Sequence, residues 1–190
     1  MSDAKLIHYC APTLAGIKAA NIFNGDDSPD LDAVLSRWNA TLNPKGVNVL
    51  CFLKKNGRPL IFVYRPSTLE GRLQNAESEA ILKAYGYTGD SLSDRLSRLA
   101  GRLSESDDFP HEIGLFLDYP AADVKGFINH QGKACKCAGC WKVYGDEKGA
   151  LCRFAQYKKC TRVYERCYAK GFALDKLTVE CHRESVERRS

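Results

Sequence analysis

Between Gly46 and Pro66 the chain reads GVNVLCFLKKNGRPLIFVYRP, and no other stretch constrains the fold so tightly. Val47, Val49, Cys51 and Leu53 alternate along it, and so do Leu60, Phe62 and Tyr64. A period of two marks strands with one buried face. Asn56-Gly57 between the two runs supplies the positive-φ residues that a tight hairpin turn demands. A β-hairpin ended by Pro66 is expected, and the rest of the chain must pack around it.

On either side the period becomes that of a helix. Residues 11–24, APTLAGIKAANIFN, place Leu14, Ile17, Ala20 and Ile22 or Phe23 at helical spacing, and Pro12 suits a first turn. A helix is expected there, with Cys10 just ahead of it. SPDLDAVLSRWNATL carries the stripe Leu31, Val34, Leu35 and Trp38 behind Ser28 or Asp30 as a cap. After the hairpin, STLEGRLQNAESEAILKAYG and DSLSDRLSRLAGRLSES read as helices capped by Ser67 and Asp90, with Gly86 and Gly89 at the join. HEIGLFLDYP reads as a short buried strand, AADVKGFINHQG as a helix ending at Gly132, and CWKVYG as a strand. Residues 146–172 read as one long helix. The expected class is α+β: a small sheet of about four strands, the hairpin plus a β-α-β unit, packed with five or six helices. Residues 1–178 are expected to form one domain, and the charged tail 179–190 to be disordered.

Composition decides between function classes. Of 190 residues, 44% are hydrophobic, so a core can form without metal or disulfide. The net charge is +5, but acids and bases interleave along the helices, which marks solvated faces and argues against nucleic acid. The start lacks the pattern of a signal peptide, and no run reaches the ~18 apolar residues of a membrane span. A cytoplasmic chain without a membrane partner is expected. Cytoplasmic thiols are mostly reduced, so nine cysteines point to buried thiols, metal ligands or reactive thiols rather than disulfides.

Three constellations carry chemistry. Cys135, Cys137 and Cys140 form C-x-C-x-x-C, whose last pair can present two thiolates to one tetrahedral ion. Cys160 is the fourth ligand of choice, with Cys152, Cys167, Cys181 and His182 as alternatives, and zinc or iron is the implied cofactor. The competing readings are a loop with extra thiols and a redox pair at CAGC, which lacks the helix N-terminus that activates such a pair. Cys10, ahead of a helix N-terminus, would be favoured as thiolate. His111 would serve as its base, with Glu112 orienting the ring, against the alternative of a buried thiol and a strand-capping histidine. Lys18, Arg65, Lys142 and Tyr144 could enclose a carboxylate or phosphate. No glycine-rich phosphate loop accompanies them, so solvated strand-end charges compete with that reading.

The segments HYCAPTLAGIKAANIF, VYRP, FPHEIGLFLDYPAADVKGFI and WKVYGDEKGALCRFAQYKKC occur in that order between residues 8 and 160, within a likeness that runs from about residue 7 to about residue 165. Together they resemble the bacterial family called domain of unknown function 3793, found mostly in anaerobic Firmicutes. The likeness covers Cys10, Pro12, Thr13, Gly16 and Lys18, then Tyr64, Arg65 and Pro66. It continues through Pro110, His111, Glu112, Gly114, Tyr119 and Pro120 to Trp141, Lys142, Val143, Tyr144 and Cys160. It does not extend to the full cysteine cluster, where an aromatic is usual in place of Cys140. The resemblance thus implies a shared site near Cys10 and the His111 segment, and implies no activity. The expected function is binding of a soft metal ion or of a small metal-containing or anionic ligand. The alternatives are a thiol-dependent enzyme built on Cys10 and His111, and a non-catalytic partner of another protein.

Overall fold

The structure is a computed structural model that describes residues 1–106 and 108–180. Its centre is the expected hairpin. Strands β2 (Asn48–Leu53) and β3 (Pro59–Tyr64) pair antiparallel, joined by a turn in which Gly57 takes φ +75°. A third strand, β1 (Ala20–Asn24), pairs antiparallel along the other side of β3, giving the order β1-β3-β2. All six residues of the middle strand are buried. They divide by parity: Leu60, Phe62 and Tyr64 enter one hydrophobic cluster, Ile61 and Val63 another.

Helices cover both faces. On the face of Ile61 and Val63 lie helices α1 (Asp3–Leu14) and α2 (Leu31–Leu42). Helix α1 starts at Ser2, whose hydroxyl accepts from the Lys5 amide at 3.3 Å, and buries Leu6, Ile7, Cys10 and Leu14. Helix α2 buries Trp38 and Leu42. It also sends Asn39 to bond both backbone groups of Val49 at 2.8 Å, which closes part of the open edge of β2. On the other face pack α3 (Pro66–Leu73), α4 (Ala76–Ala84), α5 (Leu92–Glu105), α6 (Ile113–Phe116) and α7 (Ala121–His130). A two-residue ladder, β4 (Cys137–Ala138) with β5 (Lys142–Val143), precedes the 23-residue helix α8 (Glu147–Ala169).

The class is α+β, as the sequence implies, and several elements differ from the reading of the pattern. Residues 11–24 do not form one helix. Pro12 sits in the last turn of α1, and Ala20–Asn24 is the third strand, because pairing along the edge of β3 outweighs a helical spacing that four apolar residues meet by coincidence. No β-α-β unit forms among the described residues. The run Ile113–Leu117 is helical, with Leu117 N–H donating to Ile113 O and Tyr119 N–H to Gly114 O. A short continuous apolar run has no period of its own, and this one is buried on every side. Residues 66–84 divide at Asn75, whose side chain accepts from the Ser78 amide and starts α4. The tail beyond Glu180, with Cys181 and His182, lies outside the described residues.

Candidate functional site

The site is set by how α1 ends. Gly16 takes φ +74°, its amide donates to Thr13 O, and the Ile17 amide donates to Pro12 O, a Schellman termination. Arg65, 1% exposed, lies beneath this turn. Its guanidinium donates to Thr13 O (2.7 Å), Leu14 O (2.8 Å), Val179 O (2.6 Å) and Lys45 O (3.3 Å). A cation expected to meet a ligand is instead bound to carbonyls, where its charge complements the negative end of α1. The turn hands the chain to Lys18, and Ala19 is fixed by donating its amide to Asp118 Oδ2 at 2.9 Å.

Lys18 is 5% exposed. Its ammonium lies 5.3 Å from the ring centroid of Tyr119 and 5.8 Å from that of Tyr157. It makes no hydrogen bond or ion pair with any described residue. Asp118, which lowers the cost of the charge from nearby, is itself paired with Arg72 at 3.0 Å. Burial pulls the Lys18 ammonium down to about 8, and the thiols of Cys140 and Cys10 and the Asp118 carboxylate oppose that fall. The side chain ends at a cleft of about 410 Å³ walled by Asn21 of β1, Tyr119, Cys140 in the β4–β5 turn, and Tyr157 and Thr161 of α8. Lys158 stands at its rim, exposed.

The walls are held rigidly. Asp123 of α7 is 3% exposed; one of its carboxylate oxygens accepts from Trp141 Nε1 at 2.7 Å, the other from the amides of Tyr144 and Gly145. Trp141 is stacked by Tyr119 and met edge-on by Phe154. Gly139 permits that packing, since a Cβ there would stand 2.4 Å from the Phe154 ring. Burial raises Tyr119 and Tyr157 to about 12 each, so both phenols stay protonated at any ordinary pH.

The other expected site residues lie elsewhere. Cys10 is inside α1 with no exposed surface, away from any helix N-terminus, and burial pushes its thiol far above the usual range, only partly offset by Lys18. It packs in the cluster on the Ile61 face. His111 is exposed, its ring edge-on to Phe127 at 5.0 Å, beside an apolar cleft of about 370 Å³. The thiol packs in the cluster around α1, and the imidazole lines the Phe127 cleft, whose walls do not include Cys10. Glu112 has no exposed surface and accepts from Tyr87 Oη (3.0 Å) and from Arg102, so it serves the core and not the His111 ring. Lys142 donates to Gly132 O at 2.7 Å, and the Tyr144 ring stacks on His130 with its buried hydroxyl unpartnered. Neither meets Arg65 or Lys18 at a shared anion site.

The thiols also disperse. All eight described cysteines are free, and no group of three or more Cys, His, Asp or Glu side chains gathers among the described residues to hold a metal ion. Cys137 is in β4, its thiol held up by desolvation and the Glu147 carboxylate. Cys140 faces Lys18, and Cys160 sits part-buried on α8, its thiol raised to about 11 by burial. The C-x-C-x-x-C spacing meets a turn between two antiparallel strands, which carries its last thiol away from the first two.

The model of a family described as protein of unknown function, DUF3793, matches residues 6–178. The chain belongs to this family. Comparison with curated proteins finds no match, and neither does comparison with solved structures. All the residues that wall the Lys18 cleft lie within the span that defines this DUF3793 member. No helix among its described residues is long and apolar enough to cross a membrane. The sequence points to Lys18 and Cys140, for different sites, and gives no sign that Asn21, Tyr119, Tyr157 and Thr161 wall this cleft. Tyr119 lay within the family pattern, while Tyr157 was indistinguishable from the core stripe of the long helix.

Proposed function

We propose that this protein binds a small anionic ligand, a carboxylate or a phosphate, in the cleft at Lys18. One observation carries the reading: a 5%-exposed ammonium that no carboxylate among the described residues pairs and that ends at an open cleft. A buried charge without a partner costs several kcal/mol, and folds keep one where something else supplies the counter-charge. The two tyrosine rings recover part of that cost through their faces, about 1–2 kcal/mol for desolvated cation–π contacts. An anion would recover more, with Lys18 as its counter-ion and Asn21, Thr161 and the tyrosine hydroxyls as neutral bonding groups.

Thermal unfolding with inorganic phosphate, glycolate and succinate, on the natural chain and on Lys18→Met, tests it. An anion at a hundred times its Kd adds about 2.7 kcal/mol to stability, which raises the Tm of a chain of this size by roughly 5–10 °C. Lys18→Met removes the unpaired charge, so it should unfold no earlier than the natural chain and show no anion-dependent rise. A Met variant that responds to the same anion as strongly as the natural chain would end the proposal.

A further inference from the structure

We infer that the Lys18 amine is a nucleophile toward aldehydes and ketones, and that the cleft accepts a small oxo acid as an imine on Lys18 Nζ. This rests on the cleft being a ligand site and names the class of ligand. The amine has three properties that an imine-forming lysine needs. It is buried, no carboxylate among the described residues pairs with it to hold it protonated, and it lines a cleft sized for a small molecule. Lys158 at the rim is placed to receive the carboxylate of an oxo acid, leaving Lys18 for the carbonyl.

The charged and titratable groups around Lys18 come from four parts of the fold: Tyr9 and Cys10 on α1, Asp118 and Tyr119 ahead of α7, Cys140 in the β4–β5 turn, and Tyr157 and Lys158 on α8. Burial outweighs the three that favour the ammonium. With the ammonium at about 8, roughly a quarter of Lys18 is free amine at pH 7.5, against about one part in a thousand for an ordinary lysine.

The step balances without a further reactant. The nitrogen lone pair attacks the carbonyl carbon, and the carbonyl oxygen takes a proton to give a carbinolamine. Tyr119 and Tyr157, whose rings flank the nitrogen and whose hydroxyls bond no described residue, are the nearest proton donors. The nitrogen then loses a proton, the carbon–oxygen bond breaks, the oxygen leaves as water with a second proton, and the nitrogen gives up its other proton, so both protons taken by the oxygen are returned. One amine and one carbonyl become one imine and one water.

Glyoxylate is the probe. The full chain is incubated with it across pH 6–9, reduced with borohydride, and analysed by intact mass and peptide mapping. The expected result is one carboxymethyl group on Lys18, labelled at least tenfold faster than the exposed lysines, with a rate that rises through an inflection near pH 8. Adducts spread over exposed lysines with Lys18 unlabelled, or no borohydride-dependent adduct, overturn the inference. Glycolate, which keeps the carboxylate and lacks the carbonyl, separates the two readings. If glycolate binds and glyoxylate leaves Lys18 unlabelled, anion binding stands and the amine chemistry falls. Lys18→Arg retains the charge and cannot form the imine, so it should lose the adduct while still binding glycolate.

Discussion

At Lys18 two forces oppose each other: removal from water favours the neutral amine, and the faces of Tyr119 and Tyr157 favour the ammonium. Removal from water wins, and the folded-state value of about 8 lies below the 10.5 of an unperturbed lysine. The sign follows. Between these values the unfolded chain binds the extra proton, so stability contributed at this residue rises with pH from about 8 to about 10.5, by roughly 3 kcal/mol. Cys10 acts in the opposite sense, since its folded-state value is raised and an unfolded thiolate gains ground above pH 9. The two are separated by comparing the natural chain with Lys18→Met in urea melts. The stability deficit of the natural chain should be largest below pH 8 and should shrink toward pH 10.5. A difference that stays constant over this range would show that Lys18 titrates in the fold as it does in water. Cys10 and Lys18 also show what a residue list conceals. Both were candidates for chemistry, and burial silences the thiol while it frees the amine.

The end of α1 is the element that makes the site. Gly16 adopts a left-handed conformation that Ala takes at a cost of about 1–2 kcal/mol. Arg65 joins that end to the segment after α8 through Val179, whose amide returns a bond to Leu14 O. Arg65→Lys keeps the charge and loses the planar fork that reaches four carbonyls at once. It should destabilise the chain by about 2–4 kcal/mol. In hydrogen exchange the amide of Val179 should lose protection before those of β3; equal protection at both would mean that Arg65 does not hold this junction. The β4–β5 turn forms the opposite wall. Gly139→Ala should displace the Phe154 ring, lower stability by about 1–3 kcal/mol, and weaken the anion response more than the stability loss explains. An unchanged anion response in this variant would show that the turn is not part of the cleft.

Across the whole molecule, the cleft exists because α8 touches two places. Its first half packs by Ala150, Phe154 and Tyr157 on the Trp141 cluster, and its second half by Tyr164, Cys167 and Tyr168 on the cluster around α1. The gap between the two contacts opens onto Lys18. Leu174 and Leu177 then close the α1 cluster from the C-terminal side. Leu174→Ala should cost about 2–3 kcal/mol in urea unfolding and should raise exchange in α1 ahead of α5, since α5 lies in the other cluster. Equal exchange in both helices would show that the two faces of the sheet open as one unit. Local signals suffice for the hairpin, whose turn chemistry and alternation act within a few residues, and for the helices α2, α5, α7 and α8, whose apolar stripes are local, although α5 is capped by Ser91 and not by Asp90. The sequence by itself also determines the family, through ordered motifs, and the α+β class. Long-range packing settles that residues 20–24 are a strand, because their partner lies about forty residues ahead, and that Ile113–Phe116 is a helix, because an apolar run buried on all sides has no period. It likewise decides which of the candidate residues meet. Spacing along the chain cannot tell a cation clamped by carbonyls, as Arg65 is, from one left without a counter-charge, as Lys18 is, because that difference rests on neighbours fifty to more than a hundred residues away.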